Sequence, residues 1–242
     1  MTLKKTLLAA ALCAASAFAG PFAADTVVAP NGEKVVFSFV KHGTLMVEAG
    51  GKVVHVDPVA EYGARTDYSA LPAADLLIVT HEHPDHFDPQ AIALATKKET
   101  ALVANARVVS LLGKGRAMAN GDEATVAGIG LKAVPAYNVT PGRERFHPKG
   151  RDNGFVLEFG GLRVYVSGDT EEIPAMDSLG RIDVAFLAAN QPYTMTVEQC
   201  VGAARRIRPK ILYPYHFGDT DVGKIAEALK GSGIEVRLRE MR

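Results

Sequence analysis

Six consecutive positions, His81-Glu82-His83-Pro84-Asp85-His86, carry three imidazoles and two carboxylates in a chain with only seven histidines among 242 residues. These side chains favour divalent ions, and they sit close enough together to share one. Residues two apart on an extended chain point the same way, so His81 and His83 can face a single ion. Pro84 then turns the backbone and lets Asp85 and His86 project from the turn into adjacent space. The pattern is not H-E-x-x-H, because its fifth position is Asp85 and Pro84 would break the helix that motif requires. Imidazole and carboxylate without thiolate predict Zn2+, one or two ions, with Mn2+ or Fe2+ accepted by the same donors.

Such donors need a rigid frame. The apolar run Leu76 to Thr80 reads as a strand buried on both faces that ends at His81. Before it, Val35 to Val40, Thr44 to Glu48 and Lys52 to Val56 are short and rich in β-branched residues. Gly43 and Gly50-Gly51 punctuate them, which predicts an antiparallel meander. Helices are expected at Pro89 to Lys97 and Ala106 to Leu112, around a short strand at Ala101 to Ala104. A second strand-rich block follows at Gly128 to Ala136, Gly154 to Phe159 and Leu162 to Ser167, with Gly160-Gly161 as a hairpin turn. The end alternates: strand Val184 to Leu187, helix Val197 to Ile207, strand Ile211 to Tyr215, helix Val222 to Lys230, strand Ile234 to Leu238. Thr196 and Gln199 form a capping-box pattern, and Asp219 or Thr220 is the expected N-cap of the last helix. Two mixed halves, each strand-rich first and helical later, predict an αββα sandwich of two mixed β-sheets packed face to face with helices outside. No linker or repeat divides residues 20–242, so one domain is expected there.

Composition narrows the function classes. Lys+Arg and Asp+Glu both number 27, and no basic stripe is present, which argues against nucleic acid as a partner and for a small-molecule substrate. The chain has no tryptophan, and hence no obvious aromatic platform for sugars or bases. Residues 1–19 read as a cleaved secretory leader: Lys4 and Lys5, then an apolar run from Leu7 to Phe18, then Ala17-Phe18-Ala19 before Gly20. An exported, periplasmic domain without a stable membrane anchor is the expectation. After cleavage Cys200 is the only cysteine, which excludes an intrachain disulfide and a thiolate metal cluster.

The H-x-H-x-D-H pattern at His81 to His86 matches the signature of the metallo-β-lactamase fold superfamily. Downstream, VYVSGDTEEIP ends an apolar strand in Ser167-Gly168-Asp169-Thr170 and resembles that superfamily's aspartate motif, while ILYPYHFGD resembles its final histidine motif at His216. Order, spacing and strand-end placement agree from about Val35 to Leu238. Within the superfamily the chain looks most like the small stand-alone hydrolases that include relatives of ascorbate-6-phosphate lactonase. The resemblance implies that His81 and His83 hold a first metal, that Asp85, His86 and His216 hold a second, and that Asp169 lies between them. It also implies a metal-dependent hydrolase acting on an ester, lactone, phosphodiester or amide, with a bridging hydroxide as nucleophile and Asp85 also holding the attacking water. Tyr193 would lie near the metals.

One departure matters. Where the superfamily pattern has another histidine on the first metal, this chain reads Val134-Pro135-Ala136-Tyr137-Asn138. Asn138 is a feeble ligand through its carbonyl oxygen. The nearest histidine, His147, either completes the site, contacts substrate as a catalytic proton donor to the leaving group, or sits on a surface loop. Beside it, Lys149 and Arg151 either bind an anionic group of the substrate or form a solvated basic loop. Asp57 either orients a ligand histidine or starts a turn before Pro58. Two other readings follow from the missing histidine and from the superfamily's breadth: a non-catalytic periplasmic metal-binding protein, and a diiron redox enzyme. The diiron pattern replaces the second histidine with glutamate, and His83 stands against it.

Overall fold

A computed structural model describes residues 21–241. The leader expected at 1–19 lies outside the described residues. The first sheet is built in strict chain order from β1 (Ala24–Val28), β2 (Lys34–Lys41), β3 (Thr44–Ala49), β4 (Lys52–Val56), β5 (Ala74–Val79), β6 (Thr96–Ala104) and β7 (Arg116–Ala117). β2 to β4 form the expected antiparallel meander, β1 adds an unexpected antiparallel strand at its edge, and β4 to β7 run parallel. The second sheet repeats that plan. Antiparallel β8 (Glu123–Val126), β9 (Ile129–Ala136), β10 (Asp152–Phe159) and β11 (Leu162–Val166) precede parallel β12 (Val184–Ala188), β13 (Ile211–Tyr215) and β14 (Glu235–Val236).

Among the described residues four α-helices flank the sheets: α1 (Pro89–Ala95), α2 (Ala106–Leu112), α3 (Val197–Ile207) and α4 (Gly223–Ala228). Period-two alternation along β5 shows how the layers are made. Leu76 and Ile78 enter the core between the sheets, while Leu77 and Val79 join Ala91, Ile92 and Ala95 of α1 in a second apolar cluster outside. The αββα sandwich is therefore the observed fold. The Thr196–Gln199 capping box is present at α3. Asp88 caps α1 by accepting from the amides of Gln90 and Ala91, with Pro89 at the first helical position.

Several boundaries differ from expectation. α1 ends at Ala95, because Thr96 is already extended and opens a longer β6 that includes Lys97-Lys98-Glu99. β1, β7 and β8 were not legible; they are short or half-exposed strands near the sheet edges, whose alternation is too brief to register without a partner. Neither Asp219 nor Thr220 caps α4. Val222 precedes the helix, and the Asp221 carboxylate accepts from the Gly223 amide instead at 3.1 Å.

Candidate metal centre

The site lies beyond the carboxyl ends of the parallel strands, where an open α/β sheet leaves room for a ligand. β5 ends before Thr80 and His81, β11 before Asp169, β13 before His216, and β4 before Asp57. The two sheets meet there at close range: Thr80 Cβ, beyond β5 of the first, lies 3.3 Å from where a Cβ on Gly168 of the second would stand. The Asn153 carbonyl sits 2.7 Å from where a Cβ on Gly168 would stand, and Gly168 has φ +59°, so the residue before Asp169 admits only glycine. His42, Asp57 and His216 also adopt left-handed backbone angles (φ 39°, 48° and 48°), rarely seen in non-glycine residues. Such strain, concentrated at one place, marks a site whose geometry the fold enforces.

Two donor sets form around one carboxylate. His81, His83, His147 and Asp169 make the first, and Asp85, His86, Asp169 and His216 the second; within each, the ligand atoms all lie within 4.8 Å of one another. Asp169 Oδ2 is 3.4 Å from His147 Nε2 and 3.3 Å from His216 Nε2, while its Oδ1 is 3.3 Å from His86 Nε2. Asp169, His81, His86, His147 and His216 are all buried. Despite that burial, His86 Nε2, His147 Nε2 and Asp169 Oδ1 have no hydrogen-bond partner. Orphaned buried donors and acceptors aimed at one another are costly unless something between them satisfies both. Divalent cations do so, and the residues fit them.

The protonation states agree. Burial holds the His81 imidazole well below its ordinary pKa, which leaves it neutral, as a metal ligand must be. Burial opposes ionisation of Asp169, yet the charges of His216 and His86 outweigh it and keep the carboxyl well below the usual range. His86 is driven the other way, well above its usual value: burial opposes its charge, but the Asp169 and Asp57 carboxylates prevail. The same convergence of carboxylates on His86 would favour a cation held beside it.

Carboxylates behind the histidines fix their orientation. Asp57 Oδ2 is 2.8 Å from His86 Nδ1, and Asp57 also accepts from the Thr80 amide and hydroxyl, each at 2.7 Å. Of its two readings, the structure gives the orienting one. Asp152 plays the same part for His147, with Oδ2 3.0 Å from Nδ1, and is itself gripped by Arg151 Nε at 2.7 Å. The sequence reading missed Asp152. It also missed His42, whose Nε2 lies 3.3 Å from Asp85 Oδ2 and whose ring centroid is 3.8 Å from that of His216, the planes tilted by 39°. The signal available was the strand-end position of Lys41-His42-Gly43 and the count of histidines.

The remaining expectations divide. His147 is buried in the first donor set, with Nδ1 on Asp152 and Nε2 towards Asp169. Asn138 Oδ1 is buried without a hydrogen-bond partner. Its side-chain amide donates to the Tyr193 carbonyl at 2.7 Å, and its backbone amide donates to the His147 carbonyl at 2.9 Å, so it stitches the loop that carries His147. Glu171 pins the same loop by accepting from the amides of Val139 and Thr140. Tyr193 does border the site. Lys149 does not: its ammonium sits over the Tyr137 ring, 5.4 Å from the centroid. Arg151 contacts Asp152 and Glu82. Cys200 is buried under α3 with its thiol pushed up to about 12, and is inert. A cavity of about 430 Å³ opens over Asp169, walled by Tyr62, Pro84, Phe146 and Tyr193 and floored by His83, Asp85 and His147.

Residues 37–216 match the family model described as a beta-lactamase superfamily domain. A UPF0173 metal-dependent hydrolase of Lysinibacillus sphaericus is 27% identical over 216 residues, covering 82% of this chain and 94% of that protein. Among solved structures, one provisionally described as a metal-dependent hydrolase from Parabacteroides distasonis is 50% identical, with a TM-score of 0.89 over 91% of this chain and all of the other. Igni18, a metallo hydrolase from Ignicoccus hospitalis, is 24% identical with a TM-score of 0.72, covers 86% of this chain and 95% of its own, and shares the fold.

Proposed function

The chain belongs to the beta-lactamase superfamily and is a metal-dependent hydrolase, and from that premise we propose that it cleaves an ester, lactone, phosphodiester or amide at the paired donor sets around Asp169. One observation carries the reading: a single buried carboxylate belongs to both sets. Two cations held about 3.5–4 Å apart repel unless an anion lies between them, and Asp169 is placed to be that anion. His81, His83 and His147 would hold one ion, and Asp85, His86 and His216 the other. Histidine and carboxylate without thiolate favour zinc, while manganese and ferrous iron suit the same donors. When bound, the ions supply Lewis acidity and bring the pKa of water near neutrality.

The chain's own groups do the rest. Asp85 reaches the cavity, and its carboxyl is held far below the usual range: burial opposes ionisation, but contacts with His216 and His42 overcome it. From the cavity floor it would also hold the attacking water by accepting its hydrogen bond. Asp57 and Asp152 keep the His86 and His147 rings aimed inward. Tyr62, Phe146 and Tyr193 form the apolar wall of the cavity. The leader-like start at 1–19 supports export to the periplasm, and no helix among the described residues is long and apolar enough to cross a membrane.

Elemental analysis of the purified protein tests the reading. About two equivalents of divalent metal are expected in wild type, falling below one in Asp169→Ala. His86→Ala should abolish hydrolysis of p-nitrophenyl butyrate. A wild-type protein that takes up no metal refutes it.

A further inference from the structure

We propose that the substrate is an uncharged carboxylic ester or lactone bearing an apolar, aryl or alkyl, group, rather than an anionic phosphoester. The inference rests on the hydrolase reading above and narrows it. The cavity has two unlike ends. Its floor is the donor sets, where the scissile group must lie; its wall is Tyr62, Pro84, Phe146 and Tyr193. Phe146 and Tyr193 meet edge to face at 5.0 Å, and Tyr62 and Tyr193 remain 41% and 44% exposed. Large aromatic surface left open to water beside convergent polar groups is the usual make-up of a small-molecule site.

That wall is preformed. Lys41 donates to the carbonyls of Ala60 and Ala64, fixing the loop that presents Tyr62 over the His42 ring at 4.4 Å. Asn138 and Asn190 hold the backbone of Tyr193. No lysine or arginine lines the cavity among the described residues. Two of the nearby cations are paired, Arg143 with Gln191 and Glu171 and Arg151 with Asp152 and Glu82, while Arg145 and Lys149 are exposed and lie over the Phe146 and Tyr137 rings. A negative group carried away from the scissile bond would lose its hydration against aromatic rings and meet no lysine or arginine in the lining. In the reaction, water adds to the acyl carbon, the bond from that carbon to the alkoxy oxygen breaks, and the products are a carboxylic acid and an alcohol.

Three esters with one leaving group isolate the effect: p-nitrophenyl acetate, p-nitrophenyl butyrate and the mono-p-nitrophenyl ester of glutaric acid, whose acyl chain ends in a carboxylate. With metal-loaded enzyme, butyrate should exceed acetate by about tenfold in kcat/KM, the worth of two buried methylenes. The glutarate ester should fall about tenfold or more below butyrate. Tyr193→Ala and Tyr62→Ala, both exposed and so safe for the fold, should raise KM for butyrate more than they lower kcat. Benzylacetone, a neutral ketone that cannot be hydrolysed, gives a readout free of turnover: saturation-transfer NMR should show it bound to wild type and lost from Tyr193→Ala. Turnover with the glutarate ester equal to or better than butyrate overturns the inference and leaves the hydrolase reading standing. Benzylacetone binding without turnover of any ester supports the neutral, apolar pocket and removes the ester-cleaving reading. Absence of both binding and turnover removes the two together.

Discussion

Asp57 and Asp152 stand on opposite sides of Asp169 and do one job each. Asp57 accepts from His86 in the second donor set, and Asp152 from His147 in the first. Carboxylates behind ligand histidines fix the tautomer and raise basicity, and losing one typically costs roughly 10–100-fold in metal affinity. Asp57→Asn should therefore weaken one of the two bound equivalents by that factor, and Asp152→Asn the other, read by competition against a chromophoric chelator. Loss of both equivalents together in either variant would show that the sets are not separable. The sequence exposed these residues unevenly. His81 to His86 announce themselves by density, and Asp169 and His216 by their strand-end motifs. Asp57 is legible only as one of two readings, since an aspartate before a proline turns chains as often as it orients rings. Asp152 lies next to Arg151 and looks like a surface ion pair; only the pairing of β10 with β9 carries it inward. His42 is remote in sequence from every motif, and only the fold brings it to Asp85.

The elements meet so tightly at the site that their turns become part of it. A Cβ on Gly43, in the turn from β2 to β3, would stand 2.6 Å from His86 Cε1 and 3.0 Å from its Nδ1. The His86 ring cannot step aside without breaking its pairing with Asp57. Gly43→Ala should therefore lower the affinity of the second donor set by about tenfold or more while circular dichroism shows the sheets intact. Full metal affinity in the variant would mean that the ring has slack it does not show. The sequence marks Gly43 simply as a break between strands, and that reading is right as far as topology goes. It cannot reveal contact between a turn and a ring 43 residues later. Strong β5, β10 and α3 are legible because each carries its own burial pattern over a full length. β1, β7 and β8 are not, because pairing along a neighbour defines them more than their own residues do.

At the scale of the molecule, the two sheets are tied together at Asp25. This carboxylate on β1 of the first sheet accepts from the Tyr213 hydroxyl on β13 of the second at 2.6 Å, and from Arg239 Nε at 3.1 Å, with Arg237 at 3.4 Å. The Arg239 guanidinium also lies over the rings of Phe39 and Tyr213. The chain then runs on to Met241, whose carbonyl accepts from the His42 amide, so the tie leads back to the metal centre. Burial disfavours the charge on Asp25, but Arg239, Tyr213 and Arg237 outweigh it and hold the carboxyl below its usual value. A carboxyl lowered in the folded state stabilises the fold above its unfolded pKa of about 4, and that contribution fades as pH falls through the lower folded value. Asp25→Asn should cost about 2 kcal/mol near neutral pH, because one charge-assisted acceptor is lost and its partners stay behind. In a chain of this size that is a fall in Tm of about 4–8 °C. With both proteins measured in excess chelator, the gap should hold from pH 7 to about 4 and close below it, where wild type is protonated as well. A gap that persists in acid would assign the loss to packing, and no gap at neutral pH would show that the sandwich holds without this tie.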